Sequence, residues 1–275
     1  MADPLRLNNK AIALLSSGMF EQAIAALTQG LKIITLTMSE RALDNGFSIT
    51  DDKNSISDVG SSSRNTADAG AAVLLDLCMP CPSRLCFGFI SSTPFSCHTS
   101  WRLSVQRDTF VYEDPIYLSG PFPRLTDPGC CETLSFIVLY NLGLTHHLAA
   151  LSKKNLTNDG LKQRNWYLRK AMVLYEHANH ILLNEHIECS PLHVMAIANN
   201  LGHIHFALGD ETRAKTCFNY LLSSILCLVE CGGNGARLRK EVLDGFLTNV
   251  IPLIAGSSSA PAAWSIPDLC HDARD

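Results

Sequence analysis

Three asparagines occupy the same place in three separate apolar stretches of the chain, two residues before a small residue. The pairs are Asn9 with Ala11, Asn141 with Gly143, and Asn200 with Gly202. An amide side chain both donates and accepts hydrogen bonds, so it can pair with the N–H and C=O of a peptide backbone whatever that peptide's side chains are. We therefore predict that Asn9, Asn141 and Asn200 hold an extended peptide. The alternative interpretation is that they only cap or bridge neighbouring helices.

Other residues that could do chemistry lack the partners that chemistry needs. His177 and His180 are three residues apart and could meet on one helix, but no carboxylate accompanies them at zinc-protease spacing. Cys189 and His193 flank Ser190-Pro191, which is typical of a helix cap followed by the first helical residue. A cysteine nucleophile would also need a third, orienting group. We predict a non-enzymatic protein without metal or cofactor, with a metal-dependent or cysteine-based enzyme as the alternative.

Composition restricts the classes of partner. The chain has 275 residues, 47% of them apolar and only 17% charged, with a net charge of −4. Such a balance gives no general attraction to nucleic acid or to an anionic membrane surface. No apolar run reaches the roughly 18 residues of a membrane span, and the first residues do not resemble a signal peptide. We predict a cytoplasmic location, with the nucleus as the alternative, and reduced cysteines.

Two stretches have the pattern of helical hairpins. Residues 191–228 and 5–39 each contain two apolar-periodic segments joined at a glycine, Gly209 in one and Gly18 in the other. In the first stretch, the turn glycine lies 7 residues after Gly202, an alanine 12 residues after it and a large apolar residue 16 residues after it. The same three distances separate Ala11 from the corresponding residues of the second stretch. Two hairpins with one spacing rule constitute a repeat.

This repeat resembles the tetratricopeptide repeat. Gly18, Phe20 and Ala23 match the turn and second helix of that family, whereas Glu211 stands where the family usually has an aromatic residue, and neither copy begins with the family's tryptophan. A weaker third copy combines residues 139–146 with residues 171–178, separated by a polar loop near 152–160.

The resemblance implies stacked hairpins whose first helices line a concave groove. In that arrangement Asn9, Asn141 and Asn200 are similar to the peptide-holding asparagines of tetratricopeptide grooves. We expect His147, His203 and Phe206 to line the same groove. His146 and His205 fall where the family places a packing residue.

The remaining stretches are an insertion, a terminal helix and a tail. Residues 44–129 are predicted to be a disordered or irregular insertion, with two short β-prone pieces in 110–118 around Glu113-Asp-Pro115. Residues 72–106 could instead be sequence that is not selected to fold, such as a retained intron. A capping helix is predicted from Ala236 to about Ile254, ended or kinked by Pro252, and residues 255–275 form a disordered tail.

We therefore predict a mainly α protein: tetratricopeptide-like α-α hairpins stacked in a short superhelix, with a C-terminal capping helix and a long irregular insertion. The predicted units are residues 5–39, 44–129, 130–254 and 255–275. The predicted function is binding of a peptide or helix from a partner protein in the groove. Self-association through the repeat face is the third possibility.

Overall fold

The described part of the chain is mainly α-helical, as the sequence predicts. A computed structural model describes residues 3–44, 109–118, 129–153, 157–184, 187, 190–230 and 238–256. Its helices are α1 (Pro4–Ser16), α2 (Phe20–Asp44), α3 (Cys130–Ser152), α4 (Asn158–Asn184), α5 (Pro191–Ala207), α6 (Glu211–Glu230) and α7 (Lys240–Gly256). Residues 110–118 have no regular secondary structure, so the two predicted β-prone pieces do not form strands. The other residues of the predicted insertion, 72–106 included, lie outside the described residues.

Short turns join α1 to α2 and α5 to α6 at the predicted glycines. Gly18 has φ 71° and Gly209 has φ 84°, a left-handed conformation that only glycine adopts without strain. The N–H of Gly18 donates to Leu15 O at 2.9 Å, and the N–H of Gly209 donates to Phe206 O at 3.1 Å. These bonds close the last turn of the preceding helix and reverse the chain.

The start of α5 matches its prediction. Ser190 is the N-cap and accepts a hydrogen bond from the N–H of Leu192 at 3.4 Å, and Pro191 is the first helical residue. Proline is favoured there because its missing N–H would have no helical partner.

Small residues let the two helices of a hairpin approach. A Cβ added at Gly202 of α5 would lie 2.6 Å from the ring of Phe218 on α6, and one added at Gly143 of α3 would lie 3.2 Å from the ring of Tyr175 on α4. Ala11 in the first hairpin is 1% exposed. The predicted spacing rule therefore identifies positions of close helix contact.

The hairpins follow one another in chain order. Helix α2 packs on α3, α4 packs on α5, and α6 packs on α7. The predicted loop near 152–160 is present but shorter, because Asn158 already begins α4. Helix α7 includes Pro252 and ends at Gly256, so this proline does not end the helix. The tail beyond 256 lies outside the described residues.

Helix α3 is a core helix. Among the described residues it alone has the length and apolarity to cross a membrane, with a mean hydropathy of 1.4, but 89% of that window is buried inside the protein. Its neighbours α2 and α4 cover it.

Candidate peptide-binding site

Residues 110–118, which we call the resident segment, cross α7, α5, α3 and α1 in that order. Four asparagines, one on each helix, bind four residues of this segment. Each amide oxygen accepts the N–H of its residue and each amide nitrogen donates to the C=O of the same residue, at distances between 2.6 and 3.3 Å. The pairs are Phe110 with Asn249, Tyr112 with Asn200, Ile116 with Asn141, and Leu118 with Asn9. We call these four side chains the clamping asparagines.

The hydrogen bonds form two half-sites with the same connections. In the first half-site, Asn199 donates to Phe110 O at 3.1 Å and to Asn200 Oδ1 at 3.1 Å, and accepts from Asn249 Nδ2 at 2.7 Å. Because Asn199 touches both clamping asparagines, it fixes the orientation of their amides. The two clamps of this half-site therefore act as one unit.

In the second half-site, Asn8 takes the place of Asn199. It donates to Ile116 O at 3.2 Å and to Asn9 Oδ1 at 3.3 Å, and accepts from Asn141 Nδ2 at 2.8 Å. The bound residues of the two half-sites are six positions apart, Phe110 matching Ile116 and Tyr112 matching Leu118. The site is thus a duplicated unit that binds two residues with one residue between them.

Burial makes these bonds costly to break. Asn8, Asn141, Asn199 and Asn200 are 0% exposed and Asn249 is 6% exposed, while Asn9 is partly exposed. The side chains of Phe110, Val111, Tyr112, Ile116 and Leu118 are also buried. Asn200 Nδ2 further contacts the hydroxyl of Tyr175 at 3.0 Å. A buried polar group without a partner is destabilising, and this network satisfies both the segment backbone and the amides.

The three asparagines chosen from the sequence thus all contact backbone, and the backbone belongs to the same chain. Whether they also hold a partner's peptide stays a prediction. Sequence reasoning missed Asn249, because the residue two positions later is Ile251 rather than a small one. Asn8 and Asn199 directly precede Asn9 and Asn200 in the chain. The one available signal for Asn249 was a polar residue beside the apolar stripe of the capping helix.

Two predicted groove residues are buried against each other. His147 Nε2 and His203 Nδ1 lie 3.0 Å apart, linking α3 to α5. The two residues are 0% and 7% exposed. Burial, with Arg164 as a further cause, lowers the pKa of His203 to about 4, and burial together with His203 lowers the pKa of His147 well below its usual value. Both rings are therefore neutral at pH 7 and buried at the contact between α3 and α5.

Phe206, the third predicted groove residue, lies at the surface with 55% of its area exposed. His146 and His205, predicted to pack helices, are 6% and 2% exposed. The contribution of His147, His203 and Phe206 to peptide binding stays a prediction.

The middle of the resident segment is acidic. Glu113 and Asp114 are partly buried, and Asp114 forms an ion pair with Arg239, directly before α7. Burial, and then the neighbouring Asp114, raise the pKa of Glu113 to about 7. Burial also raises the pKa of Asp114, although the Arg239 guanidinium opposes the shift. Glu113 therefore gains a proton more readily in the bound segment than in water.

The described residues contain little that supports catalysis or a metal site. Among them, no three His, Cys, Asp or Glu side chains lie close enough to hold a metal ion. His177 and His180 are exposed, and His180 pairs with Asn184. Cys217 is a free thiol whose pKa burial raises to about 12, so it is not a ready nucleophile at pH 7. Cys189 lies outside the described residues.

The amide clamps bind backbone and ignore side-chain chemistry, which is the property that an extended-peptide site needs. Compared with known proteins, the chain matches no family model, no curated protein and no solved structure.

Proposed function

We propose that this chain is a non-enzymatic protein-interaction module built from tetratricopeptide-like hairpins, and that it binds an extended peptide of a partner protein in the groove of the clamping asparagines. The observation that carries the proposal is the set of four amide clamps. Each clamp satisfies both backbone groups of one peptide residue. The resident segment is then a ligand supplied by the chain itself.

The repeated hairpins support the tetratricopeptide-like part of the proposal. Gly18 and Gly209 mark equivalent turns, and Gly143 and Gly202 are equivalent points of close helix contact. Helix α7 covers α6, as a terminal helix of a short array would. The clamping asparagines all lie on the first helix of a hairpin or on the terminal helix, which is the arrangement that a concave groove requires.

A partner's peptide has to compete with the resident segment. The segment is tethered, so its effective concentration at the groove is high, on the order of millimolar for a flexible tether. A peptide of similar sequence will therefore bind weakly to the unmodified chain and more tightly to a chain whose own segment fits poorly. This difference in affinity allows a direct test.

The test uses a fluorescent peptide of residues 108–119 and a chain carrying Phe110→Ala and Ile116→Ala, which we call the weakened chain. The two substitutions remove apolar side chains of the resident segment and leave all clamping asparagines in place. We expect saturable binding in fluorescence anisotropy, tighter than to the unmodified chain. A peptide of the same composition in scrambled order should not bind.

Two further variants of the weakened chain test the clamps. Asn200→Ala should weaken binding by at least about tenfold, because it leaves two buried backbone groups unpaired at about 1–3 kcal/mol each, and a tenfold change needs about 1.4 kcal/mol. Asn219→Ala is the matched control, since Asn219 is exposed on α6. If a weakened chain with an intact helical circular-dichroism signal binds no peptide, the proposal is wrong.

A further inference from the structure

Gly245 of α7 lies directly against the ring of Phe110. A Cβ added at Gly245 would be 2.5 Å from ring atoms Cδ2 and Cε2 of Phe110, well inside the closest approach of real carbon atoms. Gly245 is one helical turn before Asn249, so both lie on the face of α7 that meets the resident segment. Glycine in a helix interior is less stable than alanine. The close approach of the Phe110 ring explains why this position has a glycine.

Phe246 completes an aromatic environment for the first half-site. Its ring is 5.6 Å from that of Phe110 in an edge-to-face arrangement, with an interplanar angle of 81°, and 5.9 Å from that of Tyr112. Phe246 is 0% exposed. Edge-to-face aromatic pairs contribute more stability than the burial of their surface alone, so this half-site favours aromatic side chains.

A size relation extends to all four clamps. Gly245 lies one turn before the clamp that binds Phe110, and Ala196 lies one turn before the clamp that binds Tyr112. Ile137 lies one turn before the clamp that binds Ile116, and Leu5 lies one turn before the clamp that binds Leu118. A small residue accompanies each aromatic ligand residue, and a large residue accompanies each aliphatic one. The two half-sites share the same connections between asparagines and bound backbone, so those connections do not account for the different side chains at matching positions.

We propose that the residue one turn before each clamping asparagine sets which side chain the groove accepts, and that Gly245 makes the first position selective for an aromatic ring. This inference rests on the proposed function and names its ligand class. The ligand is a peptide with aromatic residues at its first and third positions and aliphatic residues at its seventh and ninth. The intervening stretch carries an acidic residue opposite Arg239, as Asp114 does in the resident segment.

The first test measures selectivity with peptides of residues 108–119 and the weakened chain. The peptide with Phe110 should bind at least about tenfold tighter than the peptide with Phe110→Ala, since a buried aromatic side chain is worth well over 1.4 kcal/mol. Adding Gly245→Ala should reduce that ratio to about one by weakening only the Phe110 peptide. An unchanged ratio overturns the assignment of Gly245 and leaves the proposed function standing.

A gain of binding at the second half-site separates selectivity from misfolding. In the weakened chain, Ile137→Ala should raise the affinity for a peptide carrying Ile116→Phe relative to the unaltered peptide by at least about threefold, because it opens space beside Asn141. A protein damaged by the substitution could not bind a larger ligand more tightly. No gain for the Ile116→Phe peptide would overturn the size relation.

The full-length chain gives a readout that does not depend on a free peptide. Gly245→Ala should lower the melting temperature of the chain that carries Phe110, because the new methyl group meets the ring. In a chain with Phe110→Ala the same Gly245→Ala substitution should raise the melting temperature, since alanine is the better helix former. This sign reversal, without any binding of free peptide, would support the role of Gly245 and count against the proposed function. The same sign in both chains would overturn the role of Gly245.

Discussion

Replacing Asn200 by alanine removes the most connected clamp of the site. The amide of Asn200 accepts the N–H of Tyr112, donates to the C=O of Tyr112, contacts the hydroxyl of Tyr175 and accepts from Asn199. Alanine would leave both backbone groups of Tyr112 without these partners in a buried place. Each such group costs about 1–3 kcal/mol, so we expect Asn200→Ala to lower the free energy of unfolding by about 2–6 kcal/mol.

Urea denaturation followed by circular dichroism and by tryptophan fluorescence measures this change. Asn219→Ala, on the exposed face of α6, should change the free energy of unfolding by less than about 0.5 kcal/mol. Asn200→Asp keeps an acceptor for the Tyr112 N–H but loses the donor and buries a carboxyl group, so it should be about as destabilising as alanine. A loss below 0.5 kcal/mol for Asn200→Ala would show that the resident segment does not depend on its clamps.

Three further predictions concern packing and protonation. Gly202→Ala should destabilise the chain, because the new methyl group would lie 2.6 Å from the packed ring of Phe218. At Gly30 the nearest atom would be 3.7 Å away, so Gly30→Ala should raise the free energy of unfolding by up to about 1 kcal/mol in the same urea experiment. Glu113→Gln should stabilise the chain at pH 8 and have little effect at pH 4.5. The pKa of Glu113 is raised to about 7 in the fold, so ionisation of this carboxyl group lowers stability as pH rises from 4.5 through 7. Equal effects of the substitution at both pH values would contradict this assignment. His147 and His203 have lowered pKa values, so they act in the opposite direction: stability is lost as pH falls below 6.5, by up to about 1.4 kcal/mol per pH unit for each ring. Replacing both by asparagine should therefore reduce the dependence of the unfolding free energy on pH below 6.5.

The sequence was sufficient for local geometry. Helical periodicity, the turn glycines Gly18 and Gly209 and the cap at Ser190 depend on residues within one or two turns of each other, and each is found where the pattern predicts it. The spacing of Asn141 and Asn200 relative to the small residues placed their amides on one face for the same reason.

The rest of the site depends on long-range pairing. Asn249 binds Phe110 from 139 residues away, and Asn9 binds Leu118 from 109 residues away. No local period relates these positions, so the sequence did not reveal that the insertion supplies the segment between the helices. The resemblance assigned His147 and His203 to the groove, but it did not reveal that they hydrogen-bond to each other across 56 residues of sequence.

The path of the resident segment also has a consequence for how the array comes apart. Stacked hairpins normally contact only their neighbours, so such arrays can fray from either end. Here one stretch of nine residues touches the first helix at Leu118 and the last helix at Phe110. Fraying of α1 or of α7 breaks hydrogen bonds to the same resident segment, so the stabilities of these two helices are coupled. The chain should therefore melt as one cooperative unit, and hydrogen exchange of amides in α1 and α7 should report a common opening free energy.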